Sequence, residues 1–91
     1  MCTHYTQALA LSRSSAKAVD GWFPLTSASV YYDHAVHAPD DHTVNVDFLN
    51  AERGPSARLA VELSRDAARN LAQAILAAVA EADRFEESQG P

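Results

Sequence analysis

Hydrophobic and polar residues alternate along three segments of the chain, and a spacing of three to four residues replaces the alternation near its end. Residues 2–12, 43–49 and 58–64 show the two-residue period that is typical of half-buried strands. Residues 25–34 are rich in β-branched and aromatic side chains, which also favour a strand. The pattern therefore predicts four strands in the first two thirds of the chain.

Turn-forming residues separate these segments. Asp20-Gly21 is a turn signal, and Pro24 indicates that the second strand begins at this position or after it, since proline cannot donate to a sheet ladder. Pro39 interrupts the chain before the third strand, and NAERGPSA, with Gly54-Pro55 near its end, predicts a hairpin loop. The third and fourth strands are therefore expected to pair antiparallel.

The remaining residues predict one long helix. Ser64 is suited to cap its first turn, Asp66 suits the positive end of the helix dipole, and the helix is expected to end at about Phe85. One apolar stripe follows the helical period and consists of Ala68, Leu71, Ala72, Ile75, Ala78, Val79, Ala82 and Phe85. We expect this stripe to cover a sheet, and we expect residues 86–91 to form a frayed acidic tail.

This order of elements predicts an α+β fold, namely a four-stranded antiparallel sheet with one long C-terminal helix packed on one face (β-β-β-β-α). A length of 91 residues fits a single domain, 1–91, with a small core. The apolar parity of the strands, with Val30 and Tyr32 in the second, is expected to face the helix.

Charge and cysteine content exclude several classes of protein. The net charge is −5 and the seven basic residues are scattered, which predicts no nucleic-acid partner and no anionic membrane surface. No apolar run is long enough to span a bilayer. A single cysteine cannot form an internal disulfide, and with these features we expect a cytoplasmic protein.

The strand parity opposite to the apolar one collects polar side chains on the second sheet face. Asp47 and Arg58 are expected to lie about opposite each other across the 47–58 hairpin. The polar residues of this parity are His4, Thr6, Ser29, Tyr31, Asp33, Asn45, Asp47, Arg58 and Glu62. Such a face is a solvated surface, a polar cavity that takes a small-molecule ligand, or a dimer seam. A bare face and two exposed edges favour a homodimer.

Three of the four histidines lie within nine residues, in YYDHAVHAPDDH. His34, His37 and His42 could bring ring nitrogens together if the segment turns back after Pro39. Asp33 or Asp41 could add an oxygen, and Cys2 and His4, two residues apart in the first strand, could complete the site. Imidazole and thiolate ligands suit zinc, nickel or copper. The alternative is a polar loop whose histidines are simply solvated.

The same segment offers acid–base chemistry without a metal. Histidine is a common general acid or base, Asp33 is the neighbour of His34, and Tyr31 lies on the same strand. Two classes of function therefore stay open. One is a metal-binding or catalytic protein, and the other is a non-catalytic dimeric binding or scaffold module with incidental histidines.

Three stretches of the sequence, MCTHYT, GWFPLTSASVYYDHAVHAP and HTVNVDFLN, resemble a family of small uncharacterised bacterial proteins that open Met-Cys-Thr. The resemblance covers nearly the whole chain. It implies a domain of unknown function and brings no activity, cofactor or catalytic residue with it.

Overall fold

The computed structural model describes residues 5–54 and 56–89. Its elements are β1 (Tyr5–Ala18), β2 (Gly21–His34), β3 (His42–Leu49), a short 3-10 helix (Ala51–Arg53), β4 (Arg58–Leu63) and α1 (Arg65–Gln89). The four strands form one sheet in the order β1-β2-β3-β4, and every neighbouring pair is antiparallel. The predicted α+β architecture, four antiparallel strands followed by one long helix, is confirmed.

The strand register sorts side chains onto two faces. Tyr31 of β2 lies opposite Asn45 of β3, which lies opposite Glu62 of β4, and these three define the polar face. Val30, Val46 and Val61 are aligned in the same way and define the apolar face. Because side chains alternate along a strand, the two-residue period of the sequence maps directly onto this division.

The first two strands are longer than predicted. β1 continues through the polar residues after position 12 to Ala18, with an irregularity between Ala10 and Ser14 where Arg13 has a positive φ of 53°. β2 already begins at Gly21 and includes Pro24, whereas the sequence suggested a start at or after that proline. Proline is tolerated there because β3 pairs only with the later part of β2, so this end of β2 has an open edge.

The helix α1 begins and ends close to the predicted positions. The Ser64 hydroxyl accepts the N–H of Ala67 at 3.1 Å, which confirms the predicted N-cap. The helix continues past Phe85 to Gln89, about one turn into the segment that was expected to form a frayed tail. No helix in the described part of the chain is long and apolar enough to cross a membrane.

The contact between α1 and the sheet is smaller than the apolar stripe predicts. The helix contacts β3 and β4, yet none of its residues is buried, and Ile75 at the centre of the stripe is 54% exposed. The buried residues lie in or beside the sheet instead, and most of them are polar: Asp33, Thr43, Asn45 and Asn50, with Phe23, Ala28 and Ala57. The better covered side of the sheet is therefore its polar face.

Candidate functional site

The histidine-rich segment between β2 and β3 folds over the polar face. The backbone N–H of Ala35 donates to the carbonyl oxygen of Asp41 at 3.0 Å, which closes the base of the loop. Glu62 of β4 then accepts three consecutive backbone N–H groups of the roof loop, residues 35–38: Val36, His37 at 2.9 Å and Ala38 at 2.8 Å. One carboxylate on β4 thus holds the loop that follows β2, although β3 lies between these two strands in the sheet.

The roof loop and the polar face enclose a half-open cavity of about 940 Å³. Tyr31, Asn45, Asp47 and Arg58 contribute polar groups to its wall, and Val36 and Ala60 contribute apolar surface. Its size falls in the range of small-molecule sites, and its lining combines apolar surface with a few convergent polar groups, as such sites do.

Asp47 is the centre of the polar network in this cavity. Its Oδ2 accepts a hydrogen bond from Arg58 Nη2 at 2.7 Å and a longer one from the Tyr31 hydroxyl at 3.4 Å. The predicted contact between Asp47 and Arg58 exists, but the two are diagonal neighbours, since Asp47 lies opposite Ala60 and Arg58 opposite Leu49. Arginine is long enough to span that diagonal.

The surroundings shift the pKa values of three groups that line the cavity. Burial, followed by the nearby Asp47 carboxylate, raises the pKa of Tyr31, so its hydroxyl stays a hydrogen-bond donor. The hydrogen bond to Asp47 raises the pKa of Arg58. The N–H groups of Val36, Ala38 and His37 lower the pKa of Glu62, because they bind its ionised form.

Two features of the cavity point to a missing hydrogen-bond donor. Three carboxylates, Asp33, Asp47 and Glu62, line it against the single guanidinium of Arg58. The second carboxylate oxygen of Asp47, Oδ1, is buried and accepts no hydrogen bond from the described part of the chain. A buried acceptor without a donor is unfavourable by about 1–3 kcal/mol.

A second layer of polar side chains supports the cavity floor. Thr43, which is fully buried, donates its hydroxyl to Asn45 Oδ1 at 2.6 Å. Asp33 is also buried, and its Oδ1 accepts the backbone N–H of His34 at 2.7 Å. These bonds fix side chains that the sheet would otherwise leave to solvent.

The structure brings together two of the three clustered histidines. The strands pair His34 with His42, and their rings lie 4.3 Å apart, centroid to centroid, with Tyr32 stacked on His42 at 5.6 Å. The predicted turn after Pro39, which returns His42 to His34, is therefore confirmed. His37 lies apart, in the roof loop.

The predicted metal site is only partly visible. Cys2 and His4 lie outside the described residues. Within residues 5–54 and 56–89, no three histidine, cysteine, aspartate or glutamate side chains are grouped so that they could hold a metal ion. Zinc, nickel or copper binding therefore stays a prediction.

The three residues predicted for acid–base chemistry are divided between the two faces. Tyr31 and Asp33 line the cavity. His34 borders it, but strand alternation places its imidazole on the apolar face, against His42. Catalysis by Tyr31, Asp33 and His34 stays a prediction, and the cavity itself offers the tyrosine and the carboxylates.

A comparison with known families gives one match, to a family of unknown function (DUF6295), over residues 1–88. The chain belongs to DUF6295. Neither a curated protein nor a solved structure matches it. Membership of DUF6295 agrees with the resemblance to a domain of unknown function, while the bacterial origin and the Met-Cys-Thr opening of the family stay predictions.

Sequence reasoning placed most of the cavity residues of this DUF6295 chain on one face but missed how that face is covered. It grouped Tyr31, Asp47 and Arg58 correctly through the two-residue period. It gave Glu62 no special role, because hydrogen bonds from a loop 24 to 26 residues away leave no local pattern. The exposed backbone of the roof loop, which needs acceptors, was the only available signal.

Proposed function

We propose that this protein binds a small molecule that carries a protonated amine, or a similar hydrogen-bond donor, in the cavity between the polar face and the roof loop. The observation that carries the proposal is the buried Oδ1 of Asp47, which has no donor among the described residues although it lies in the cavity wall. A bound donor would satisfy it and recover the lost hydrogen-bond energy.

The charges in the cavity wall favour a ligand with a cationic head group. With three carboxylates against one guanidinium in the wall, the cavity attracts a cation and repels a carboxylate. Arg58 already pairs with Oδ2 of Asp47, which holds the carboxylate in place. Oδ1 can still accept a hydrogen bond from a ligand amine. The Tyr31 hydroxyl, which stays protonated, keeps that carboxylate oriented.

The apolar part of the cavity wall favours a ligand whose remaining portion is apolar. Val36 and Ala60 offer surface for a hydrocarbon or aromatic body next to the charged head. Oδ1 of Asp47 is covered in the described conformation, so a ligand amine would reach it through a local rearrangement of the cavity wall. The Glu62 side chain holds the roof loop through three backbone N–H groups.

Two probes of equal size and opposite charge test the proposal. Phenethylamine and phenylacetate are titrated separately into the isotope-labelled protein, and amide chemical shifts are followed by NMR. Phenethylamine is expected to shift the resonances of the roof loop, Asn45 and Arg58, and phenylacetate is expected to leave them unchanged. Binding of neither probe would mean that water alone satisfies Asp47, and the proposal would fail.

A matched pair of variants locates the binding. Asp47→Asn removes the carboxylate of the cavity, and Asp66→Asn removes an exposed carboxylate that also pairs with an arginine, Arg69, at 2.8 Å. Affinity for phenethylamine is expected to fall at least about tenfold in the first variant, as the loss of a charged hydrogen bond implies. It should be unchanged in the second. Equal affinities in both variants would contradict the proposal.

A second candidate function rests on the pair of imidazoles. His34 and His42 lie close enough for one divalent zinc, nickel or copper ion to reach a nitrogen of each ring after a small rotation. Two histidines alone form a weak site, so this candidate ranks below the cavity.

Metal titration separates this second candidate from the first. Zinc, nickel and copper binding is measured by calorimetry for the untagged wild type and for His34→Ala and His37→Ala variants. Loss of binding in the His34 variant alone supports a site at the imidazole pair. Binding that also needs His37 would require the roof loop to leave Glu62, and absence of binding in the wild type would end the metal hypothesis.

A further inference from the structure

The apolar side of the molecule is left uncovered, although its polar side is not. Along α1 the large side chains of the stripe, Leu71, Ile75, Val79 and Phe85, are 49–60% exposed. On the apolar face of the sheet, Leu59 of β4 is 54% exposed. A soluble single chain normally buries such residues, and a contiguous apolar patch of this kind marks an interaction surface.

The size and shape of the chain give the area that a partner must cover. A 9.8 kDa monomer is expected to expose about 5,200 Å², whereas this chain exposes 7090 Å². The radius of gyration is 15.6 Å and the longest extent is 52 Å, against about 12 Å expected for the radius of a compact domain of this length. The excess of about 1,900 Å² per chain equals what each subunit of an obligate homodimer buries.

The charges of α1 indicate which partner fits. Its first turns carry Arg65, Asp66 and Arg69, with one net positive charge, and residues 81–87 carry three net negative charges. A second copy of the helix that runs antiparallel would set the basic end of each against the acidic end of the other. Antiparallel helix dipoles are also favourable, and a two-fold dimer requires this self-complementarity.

Small side chains within the stripe allow two helices to approach closely. Ala68, Ala72, Ala78 and Ala82 lie between the large residues of the same stripe. Large side chains of one helix can therefore fill the spaces over alanines of the other, as in ridge-and-groove packing. The alanine-rich composition suits a helix that packs closely on its own copy.

We infer that the protein is an obligate homodimer in which the α1 stripes of two copies pack against each other in antiparallel orientation, with the exposed apolar sheet residues at the margin of the same interface. The dimer leaves the cavity on the opposite face of each sheet free. The sequence analysis considered a dimer interface on the polar face, whereas this interface lies on the apolar side. The inference is independent of the function proposed for the cavity.

Sedimentation of a matched pair of variants tests the interface. Ala82→Glu places a charge in the stripe, and Ala77→Glu places the same charge on the opposite side of the helix. Each new glutamate lies four residues before an existing one, Glu86 or Glu81, so the two changes disturb the isolated helix equally. The wild type is expected to sediment at twice the chain mass at micromolar concentration, with at least a tenfold weaker dimer for Ala82→Glu and no change for Ala77→Glu.

A monomeric wild type at tens of micromolar, or equal effects of the two glutamates, would overturn the inference. Circular dichroism checks that both variants keep their helix. If Ala82→Glu does not fold, the wild type alone still decides, because the melting temperature of an obligate dimer rises with protein concentration and that of a monomer does not.

The relative orientation of the two α1 helices is tested by a separate distance measurement. A spin label at Gln89→Cys, in a Cys2→Ser background, reports the distance between the helix ends in the dimer. Antiparallel packing predicts a separation of at least about 30 Å, since a 25-residue helix is about 37 Å long. A separation below about 20 Å would mean parallel helices and would overturn the antiparallel arrangement.

Discussion

Glu62 on β4 accepts the backbone N–H of His37 at 2.9 Å across 25 residues of intervening chain. Together with its bonds to Val36 and Ala38, this contact converts the loop between β2 and β3 from a solvated connection into the roof of a cavity. His34 and His37 are nevertheless exposed, as are residues 39–41, so the alternative of a polar loop with solvated histidines stays open beside the cavity.

Removal of the Glu62 carboxylate is expected to release the roof loop. In Glu62→Ala, amide hydrogen exchange at Val36, His37 and Ala38 should become at least about tenfold faster, because each N–H loses its acceptor. Exchange in β3 should change little. Glu87→Ala, which removes an exposed helix carboxylate, is the control, and equal rates in the two variants would contradict the assigned role of Glu62.

Acid should undock the same loop within a defined pH range. Docking lowers the pKa of Glu62 below its ordinary value of 4.5, so the stabilisation is fully present above pH 4.5 and is lost as the pH falls through the lowered pKa. An NMR titration of the amide shifts of Val36 and Ala38 should show a midpoint below 4.5. A midpoint at or above that value would mean that these N–H groups do not favour the ionised carboxylate.

Asn50 is expected to be a strong determinant of stability. It is buried, its Nδ2 donates to the carbonyl oxygen of Pro24 at 2.9 Å, and its Oδ1 accepts the N–H of Glu52 at 3.1 Å. Asn50→Ala should lower the free energy of unfolding by about 1–3 kcal/mol, since both partners lose a bond in a protected site. Urea denaturation measures this, with Asn50→Asp, which keeps only the acceptor, expected between the alanine variant and the wild type.

The ion pair between Asp47 and Arg58 should contribute modestly to stability, because the Arg58 side chain is 50% exposed. A double-mutant cycle with Asp47→Asn and Arg58→Met is expected to give a coupling energy of about 0.5–1 kcal/mol. The same cycle for Asp66 and Arg69, whose side chains are 89% and 58% exposed, should give less. A larger coupling for the helix pair would show that burial of Asp47 adds nothing.

Local periodicity was sufficient to predict the sheet, the division into two faces and the Ser64 cap. It was sufficient because these features depend on residues within a few positions of one another, as Val44, Val46 and Phe48 illustrate. The extension of β1 into RSSAKA and of β2 into GWFP was not predictable in this way. Polar residues and a proline there are tolerated because the paired ends of the two strands extend beyond β3.

The placement of the helix shows a different limit. The stripe of α1 predicted a surface that the sheet buries, but a period of 3.6 residues does not specify what covers such a stripe, and no residue of α1 is buried. Ile75 was expected to contact the sheet of its own chain, and it is 54% exposed instead. The sequence likewise did not specify which histidines meet. Strand pairing places His42 next to His34, whereas His37 lies apart in the roof loop.

The bonds from Glu62 to the roof loop also set an order of events during synthesis. The loop leaves the ribosome well before β4, and for those intervening 25 residues its N–H groups have no carboxylate to bind. The cavity can close only when the last strand has been made and has paired with β3. A nascent chain that ends after β3 would therefore contain Tyr31, Asn45 and Asp47 in a hairpin but would hold no enclosed site, so any ligand taken up in the cavity reports that the sheet is complete.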